Sequence, residues 1–404
     1  MEVDGAIVIV GGGHAGAQLC AALAGAGLGP RVHLVCEEPE LPYQRPPLSK
    51  SFLKNADEAL LPHRAEAWYA QAGITLHRGD PALAIHRGHR RVQLQSGRQL
   101  PYAWLVLATG ARARTLPALA EAGNVLALRS AADALRLRAA LAAHEALTVI
   151  GGGFIGLEIA ATARALGTAV SVLESAPRLL MRSLSPTVSA HVLKTHREAG
   201  TQVELGVAVG SFELAGGRLQ ALAVDGARRE VGLLVLGVGA VPEQALAAAA
   251  GLDCDNGIVV DETFRSSDPH ILAIGDCASF PEPTRGRRLR LESVQNAADQ
   301  ARAALHTLTG QPQPYRALPW FWSDQGGLRL QMAGLLPPDA ACHLRPGATA
   351  ASFSVLHYEG EQLACVESVN APLDHLAARK LIESGSRIEP ALACNPALPL
   401  KSHL

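Results

Sequence analysis

The chain has 404 residues, 48 % of them apolar and 18 % charged, which is enough for two or three folded cores. Its formal net charge of −1 gives no general attraction to nucleic acid or to an anionic membrane, so only a local patch would steer a charged partner. No apolar run approaches the roughly 18–20 residues of a membrane helix, no targeting segment is read at the start, and the seven scattered cysteines form no C-x-x-C pair, so buried thiols in a cytoplasmic protein are expected.

The first predicted element is a β-branched strand, A-I-V-I-V, that runs into G-G-G-H-A-G and then an Ala/Leu-rich helix. Gly11, Gly13 and Gly16, with His14 and Ala15 between them, have the spacing of a dinucleotide fingerprint. The first glycine permits a tight turn, the second lets backbone approach a pyrophosphate, and the third lets the helix pack close to the strand. The helix N-terminus then offers N–H groups and partial positive charge to phosphate. The next strand, V-H-L-V-C-E, ends on Glu37, 26 positions after Gly11, where a ribose-binding acid is expected. A Pro-Pro turn follows, bracketed by Arg45 and Lys50. The strand Y-A-W-L-V-L-A ends at Thr109 and Gly110.

The whole signature then recurs. L-T-V-I leads into G-G-G-F-I-G, with Gly151, Gly153, Phe154, Ile155 and Gly156, and a helix that carries Glu158. Its second strand, V-S-V-L-E, ends on Glu174, 23 positions after Gly151. The module closes at L-L-V-L-G-V-G, with Gly237 and Gly239. One such match is weak evidence. Two, each with strand, helix and terminal acid, imply two dinucleotides and a chain that passes electrons between them. A carboxylate at Glu174 accepts hydrogen bonds from both ribose hydroxyls of NADH and repels a 2′-phosphate, so NADH is expected over NADPH, with Arg178 as the one nearby group pulling the other way.

A third segment runs from G-I-V-V-D to A-I-G-D-C-A, placing Asp276 at a strand end. The basic run Arg285, Arg287, Arg288 and Arg290 precedes a helix predicted to start near Ser293, after Glu292 and with Val294 in its first turn. Pro312 and Pro314 mark a boundary. Beyond it, strand-like runs and a last helix over about 374–383 suggest an α+β tail. Trp320 and Trp322, two apart in an extended segment, are read as facing opposite sides, one into the core and one toward a cofactor. The fold class is α/β: two Rossmann-like dinucleotide-binding domains plus a C-terminal α+β domain. The expected domains are 1–110 with 237–316, then 111–236, then 317–404.

At the two fingerprints and at L-P-Y-Q-R-P-P-L-S-K (41–50), L-A-T-G-A, A-I-G-D-C-A, E-S-V-Q-N-A and P-W-F-W-S-D-Q (319–325), the chain resembles the FAD-dependent NADH:ferredoxin reductases of bacterial oxygenase systems. The resemblance spans essentially the whole chain and implies a glutathione-reductase-like flavoprotein fold. It implies FAD on the first module, held by Gly11, Gly13, His14, Ala15, Gly16, Glu37, Arg45, Lys50, Thr109, Gly110, Asp276, Glu292, Ser293, Val294 and Trp322. It implies NADH on the second, held by Gly151, Gly153, Phe154, Ile155, Gly156, Glu158, Glu174, Gly237 and Gly239. Lys50, Glu158 and Trp322 would stand at the reacting rings, with Glu158 paired to Lys50 or bonded to the nicotinamide carboxamide.

The resemblance further implies hydride transfer from NADH to FAD, then single electrons to a 2Fe–2S ferredoxin, expected to be of Rieske type and to feed an aromatic-ring dioxygenase. The four arginines are a candidate docking patch for that acidic partner. Residues 41–50 contain no cysteine, so no thiol relay is expected, and no ligand spacing for a metal centre is seen. Rubredoxin or oxygen as acceptor, or an NAD-sensing role like that of apoptosis-inducing factor, are the other readings. A monomer or weak homodimer is expected.

Overall fold

The computed structural model describes residues 5–282 and 286–404. The chain forms two compact units. One comprises Met1–Arg45, Leu60–Arg112 and Ala240–Ala317; the other comprises Pro46–Ala59, Ala113–Gly239 and Leu318–Leu404. Arg45 and Lys50, five residues apart, therefore belong to different units.

The first unit is built on a five-stranded parallel sheet in the order Ile271–Ala273, Trp104–Leu107, Ile7–Val10, Val32–Cys36, Thr75–Arg78. Of the inner strands, Trp104–Leu107 and Ile7–Val10 read as unbroken apolar runs, because both faces of a parallel sheet are covered, and Val32–Cys36 is interrupted only by the half-buried His33. Ile7, Val8, Ile9, Leu105, Val106 and Leu107 have no exposed surface. Helix His14–Gly25 packs on helix Val294–Leu308. The latter starts where the sequence predicts: Ser293 caps it, its hydroxyl accepting from Asn296 N at 3.0 Å.

The second unit repeats the plan with the order Gln202–Leu205, Ala169–Glu174, Ala146–Ile150, Leu234–Leu236, Val125–Leu126. It also holds an antiparallel five-stranded sheet in the order Trp320–Gln325, Leu328–Gly334, Gln362–Val369, Phe353–Glu359, Ala341–Pro346. Helix Pro372–Ser384 covers it, starting on a proline and ending on Gly385 at φ +66°. This is the α+β tail expected from sequence.

One expectation is overturned here. Trp320 and Trp322 do not face opposite sides of their strand. Side chains alternate with a period of two, so residues two apart share a face, and the two rings lie 5.8 Å apart between centroids. It is Phe321 and Ser323, at the intervening register, that reach the second fingerprint helix, Phe154–Ala165: Phe321 meets Phe154 edge-to-face at 4.7 Å, and Ser323 meets Glu158.

Candidate functional site

Each unit contains a glycine cradle, and the two share one construction. Gly11 leaves its strand at φ +118° and Gly151 at φ +105°, angles that side chains oppose. A Cβ on Gly11 would lie 2.1 Å from Ala108 O; one on Gly151 would lie 2.4 Å from Gly237 O. The third glycines close the same turn, since a Cβ on Gly16 would strike Gly11 O at 2.0 Å and one on Gly156 would strike Gly151 O at 2.5 Å. In contrast, nothing lies within 4 Å of a Cβ built on Gly13, and on Gly153 only Gly237 O does, at 3.6 Å. Those middle glycines are the N-caps of the two fingerprint helices, and neither helix has a side-chain cap. Each cradle thus leaves open space in front of uncapped N–H groups, which suits a pyrophosphate. By this test each of the two cradles fits the pyrophosphate of a dinucleotide.

Around the first cradle, Glu37 is exposed just past Cys36, while its neighbour Glu38 accepts from Tyr43 Oη at 2.5 Å and Arg45 Nη2 at 2.8 Å. Cys36 is pressed under Gly12, and burial pushes its thiol up to about 12, so it packs rather than reacts. Thr109 Oγ1 donates to Glu243 O at 2.6 Å, and Gly110 O accepts Glu243 N at 2.9 Å. Gly275, at φ +79°, sets the turn that carries Asp276; its N–H donates to Gln300 Oε1 at 2.7 Å, and a Cβ there would lie 3.0 Å from Ala15 Cβ. The turn is thereby placed against the start of helix His14–Gly25. Arg290 Nη1 donates to Asp276 O at 3.2 Å and to Glu292 Oε1 at 2.6 Å.

Of the basic run, Arg285 lies outside the described residues. Arg287 pairs with Glu282 at 2.5 Å, and Arg288 donates to the carbonyls of Val260 and Ser279. Arg287 and Arg288 are exposed, whereas Arg290 is half-buried and turned onto the Asp276 turn.

At the second cradle Glu174 is locked onto the loop, with Oε2 accepting Gly152 N at 2.6 Å and Oε1 accepting Ala176 N at 2.7 Å. Arg178 is committed elsewhere, to Leu184 O at 2.5 Å and Met181 O at 2.9 Å. Gly237 packs on the cradle, where a Cβ would meet Gly156 Cα at 3.0 Å; Gly239 adopts φ +101° near Arg182.

Glu158 is buried on the second fingerprint helix and takes three donors: Lys50 Nζ at 2.7 Å, Ser49 Oγ at 2.5 Å and Ser323 Oγ at 2.6 Å. The structure brings Lys50 and Glu158 together as one sequence alternative had it. Ser49 is fixed from behind, its carbonyl accepting Thr162 Oγ1 at 2.7 Å. Sequence reasoning missed both serines and Gln300. The serines lie inside the P-P-L-S-K and W-F-W-S-D-Q strings, and correct strand alternation from Phe321 was the one signal available for Ser323.

The pyridine nucleotide-disulphide oxidoreductase pattern matches residues 5–301 and the reductase C-terminal pattern matches residues 320–404. Rhodocoxin reductase of Rhodococcus erythropolis is 42 % identical, over 98 % of this chain and 93 % of its own length. Putidaredoxin reductase CamA of Pseudomonas putida is 39 % identical, over 99 % of this chain and 97 % of its own. The ferredoxin reductase for the CYP199A2 system from Rhodopseudomonas palustris superposes with a TM-score of 0.95 at 40 % identity, covering 99 % of each chain.

Proposed function

Since this chain belongs to the pyridine nucleotide-disulphide oxidoreductase family, we propose that it is a flavoprotein reductase that takes hydride from NADH onto FAD and supplies single electrons to a 2Fe–2S ferredoxin serving an oxygenase. The observation that carries this reading is the pair of matching glycine cradles, one in each unit, at Gly11–Gly13–Gly16 and Gly151–Gly153–Gly156. FAD supplies the chemistry, accepting a hydride and yielding its two electrons one at a time.

The chain's own residues bind, orient and set charge. The N-terminus after Gly13 would hold the FAD pyrophosphate, and Asp276, on its glycine turn, and the start of the helix capped by Ser293 would hold the rest of the cofactor. Glu37, exposed and 26 positions past Gly11, would take the ribose. Thr109, Gly110 and Arg45 complete that set. The cradle at Gly151 would hold NADH. Glu174, fixed by Gly152 N and Ala176 N, would accept from the ribose hydroxyls of NADH and repel a 2′-phosphate, and Arg178 is bonded to loop carbonyls. Both facts favour NADH over NADPH.

Lys50 is the cation for negative charge that arrives with hydride. Glu158 and its two serines hold that cation in place. Trp322, beside Trp320, is the aromatic surface proposed at the rings.

An acceptor outside the chain follows from residues 41–50, which carry no cysteine to relay electrons. Full-length similarity to reductases named for rhodocoxin and putidaredoxin supports an iron–sulfur protein as that acceptor. A Rieske-type ferredoxin, docking at exposed Arg287 and Arg288, is the finer proposal, in a cytoplasmic setting. The test is NADH-driven cytochrome c reduction by the flavin-loaded protein, alone and with a Rieske-type ferredoxin, an all-cysteine 2Fe–2S ferredoxin or rubredoxin. Strong stimulation by a 2Fe–2S ferredoxin, lost at high salt, is expected. Stimulation by rubredoxin alone, or by none of them, overturns the proposal.

A further inference from the structure

The C-terminal sheet carries a second reactive cluster, distinct from Lys50 and Glu158. Cys342 stands opposite His357 on the neighbouring strand, and His357 stands opposite Cys365 on the next. Cys342 Sγ lies 3.2 Å from His357 Nδ1, and His357 Nε2 lies 2.8 Å from Glu367 Oε2. The backbone N–H of Ser185 donates to Glu367 Oε1 at 2.7 Å and fixes the carboxylate from behind. His357 and Glu367 are 0 % and 1 % exposed, whereas Cys342 is exposed; the other six cysteines are buried or half-buried.

The order of contacts has a chemical meaning. A carboxylate only accepts, so Glu367 keeps a proton on Nε2 and leaves Nδ1 as an acceptor facing the thiol. Thiol, imidazole and carboxylate in that sequence make a base-assisted nucleophile. Burial and the Glu367 charge raise the Cys342 thiol above its ordinary value, so it meets a reagent protonated and needs a base as its bond forms. The titratable groups around His357 are Cys342 and, from the adjoining strand, Cys365 and Glu367.

The strands that carry Cys342 and His357 lead into a cleft of about 440 Å³, whose lining begins at Leu344 and does not include Cys342, His357 or Glu367. Leu344 and Pro346 line it from the Cys342 strand, Phe353 from the His357 strand, and Ala190, His191 and Lys194 from helix Pro186–Glu198. Leu344 is two residues beyond Cys342 and shares its face of the strand. The cleft is mainly apolar, with Lys194 its one permanent cation.

We propose that Cys342 is a base-assisted nucleophilic site for an apolar, carbonyl-conjugated alkene of the enone or quinone class, whose organic group is seated in this cleft. As the sulfur–carbon bond forms at the β-carbon, the thiol proton passes to His357 Nδ1 and the alkene π pair moves toward the carbonyl. The resulting enolate takes the proton back from His357. The product is a thioether, and no oxidant or reductant is consumed. The site is independent of the electron-transfer reading.

The experiment treats the oxidised flavin-loaded protein, without NADH, with N-cyclohexylmaleimide between pH 6 and 9 and quantifies the Cys342 adduct by peptide mass spectrometry. The rate at pH 7 should exceed that of glutathione, and Cys342→Ser should abolish the fast phase. His357→Gln should slow it roughly tenfold or more and give the steeper pH profile of an unassisted thiol. A maleimide bearing a quaternary ammonium should react more slowly than the cyclohexyl reagent, after correction for their rates with glutathione. A His357→Gln protein with native circular dichroism and a rate within about twofold of wild type would overturn the proposal. If that variant does not fold, the wild-type profile decides: a Cys342 rate that tracks its own thiol titration, no faster than glutathione, refutes base assistance.

Discussion

Lys50 Nζ sits 2.7 Å from Glu158 Oε2, and the two residues come from segments 108 positions apart. The carboxylate is 5 % exposed and the ammonium 23 %. A cation held this way keeps one position as negative charge arrives, whereas an unpaired lysine would spend that charge on water. Replacing Lys50 by Met, or Glu158 by Gln, should therefore slow flavin bleaching by NADH roughly tenfold to a hundredfold in stopped-flow measurements, with flavin content retained. Unchanged bleaching rates in both variants would remove the pair from the hydride step.

The serines bear on stability as well as rate. Ser323→Ala takes the donor from Glu158 Oε1 and leaves a buried acceptor unmet, which costs about 1–3 kcal/mol. Ser49→Ala removes a second donor from an oxygen that still has Lys50, so its cost should be smaller. A double-mutant cycle with Glu158→Gln, followed by denaturant unfolding, checks this ordering. Additive effects for Ser323 and Glu158 would mean that the 2.6 Å contact contributes nothing.

Much of this was legible in the chain, for reasons specific to each residue. Gly11 and Gly151 can be read because a positive φ and a carbonyl 2.1 or 2.4 Å from any Cβ exclude other residues; backbone geometry writes itself into sequence as glycine. The strand Ile7–Val10 can be read because burial on both faces forces an unbroken apolar run, and Ala146–Ile150 because Leu147, Val149 and Ile150 are buried around a half-buried Thr148. Ser323 could not be read in the same way. Its partner is 165 positions away, and a serine that donates to a buried carboxylate looks like any other serine. The tryptophans show a different loss: the strand is legible, but residues two apart share a face, so Trp320 and Trp322 lie together and it is Phe321 and Ser323, at the intervening register, that reach the helix of Glu158. Nor does an arginine declare its partner. Arg290 reads as part of a basic surface run, yet its guanidinium donates to Asp276 O, Glu292 and Asn256.

Cofactor choice should follow Glu174. Wild type is expected to prefer NADH over NADPH by at least about tenfold in kcat/KM. Arg178→Ala should leave that ratio unchanged, because its guanidinium is bonded to Leu184 O and Met181 O. Glu174→Ala should lower the ratio, chiefly through a raised KM for NADH. A marked fall in NADPH use by Arg178→Ala would show that the arginine reaches a phosphate after all.

Acid should weaken the fold before the carboxylates titrate. Burial holds His375 and His63 down to about 4, and His33, His77, His191 and His196 are also lowered. These groups are neutral when folded and take up protons more readily when unfolded, so their stabilisation is present above about 6.5 and is lost as pH falls toward about 4. Both ring nitrogens of His375 are buried without a partner beside Trp320, so charging it there is costly. Tm should drop between pH 6.5 and 4, and His375→Leu should flatten part of that slope. A Tm that is level across this window and falls only below pH 4 would assign acid unfolding to carboxylates such as Asp133 and Asp268, which hydrogen bonds and arginines hold low.

The basic run separates into two experiments. Arg287 and Arg288 are exposed, and Arg287 is partly neutralised by Glu282. Reversing both to Glu should raise KM for ferredoxin severalfold and flatten its salt dependence, with NADH-driven flavin reduction unchanged. Arg290→Ala should do the opposite. It removes the donor to Asp276 O on the Gly275 turn, so it should loosen FAD, seen as flavin released on gel filtration, and leave the salt dependence with ferredoxin intact. If Arg290→Ala instead shifted only the ferredoxin KM, its guanidinium would have to leave the turn to meet the partner, and the whole run would act as one docking surface.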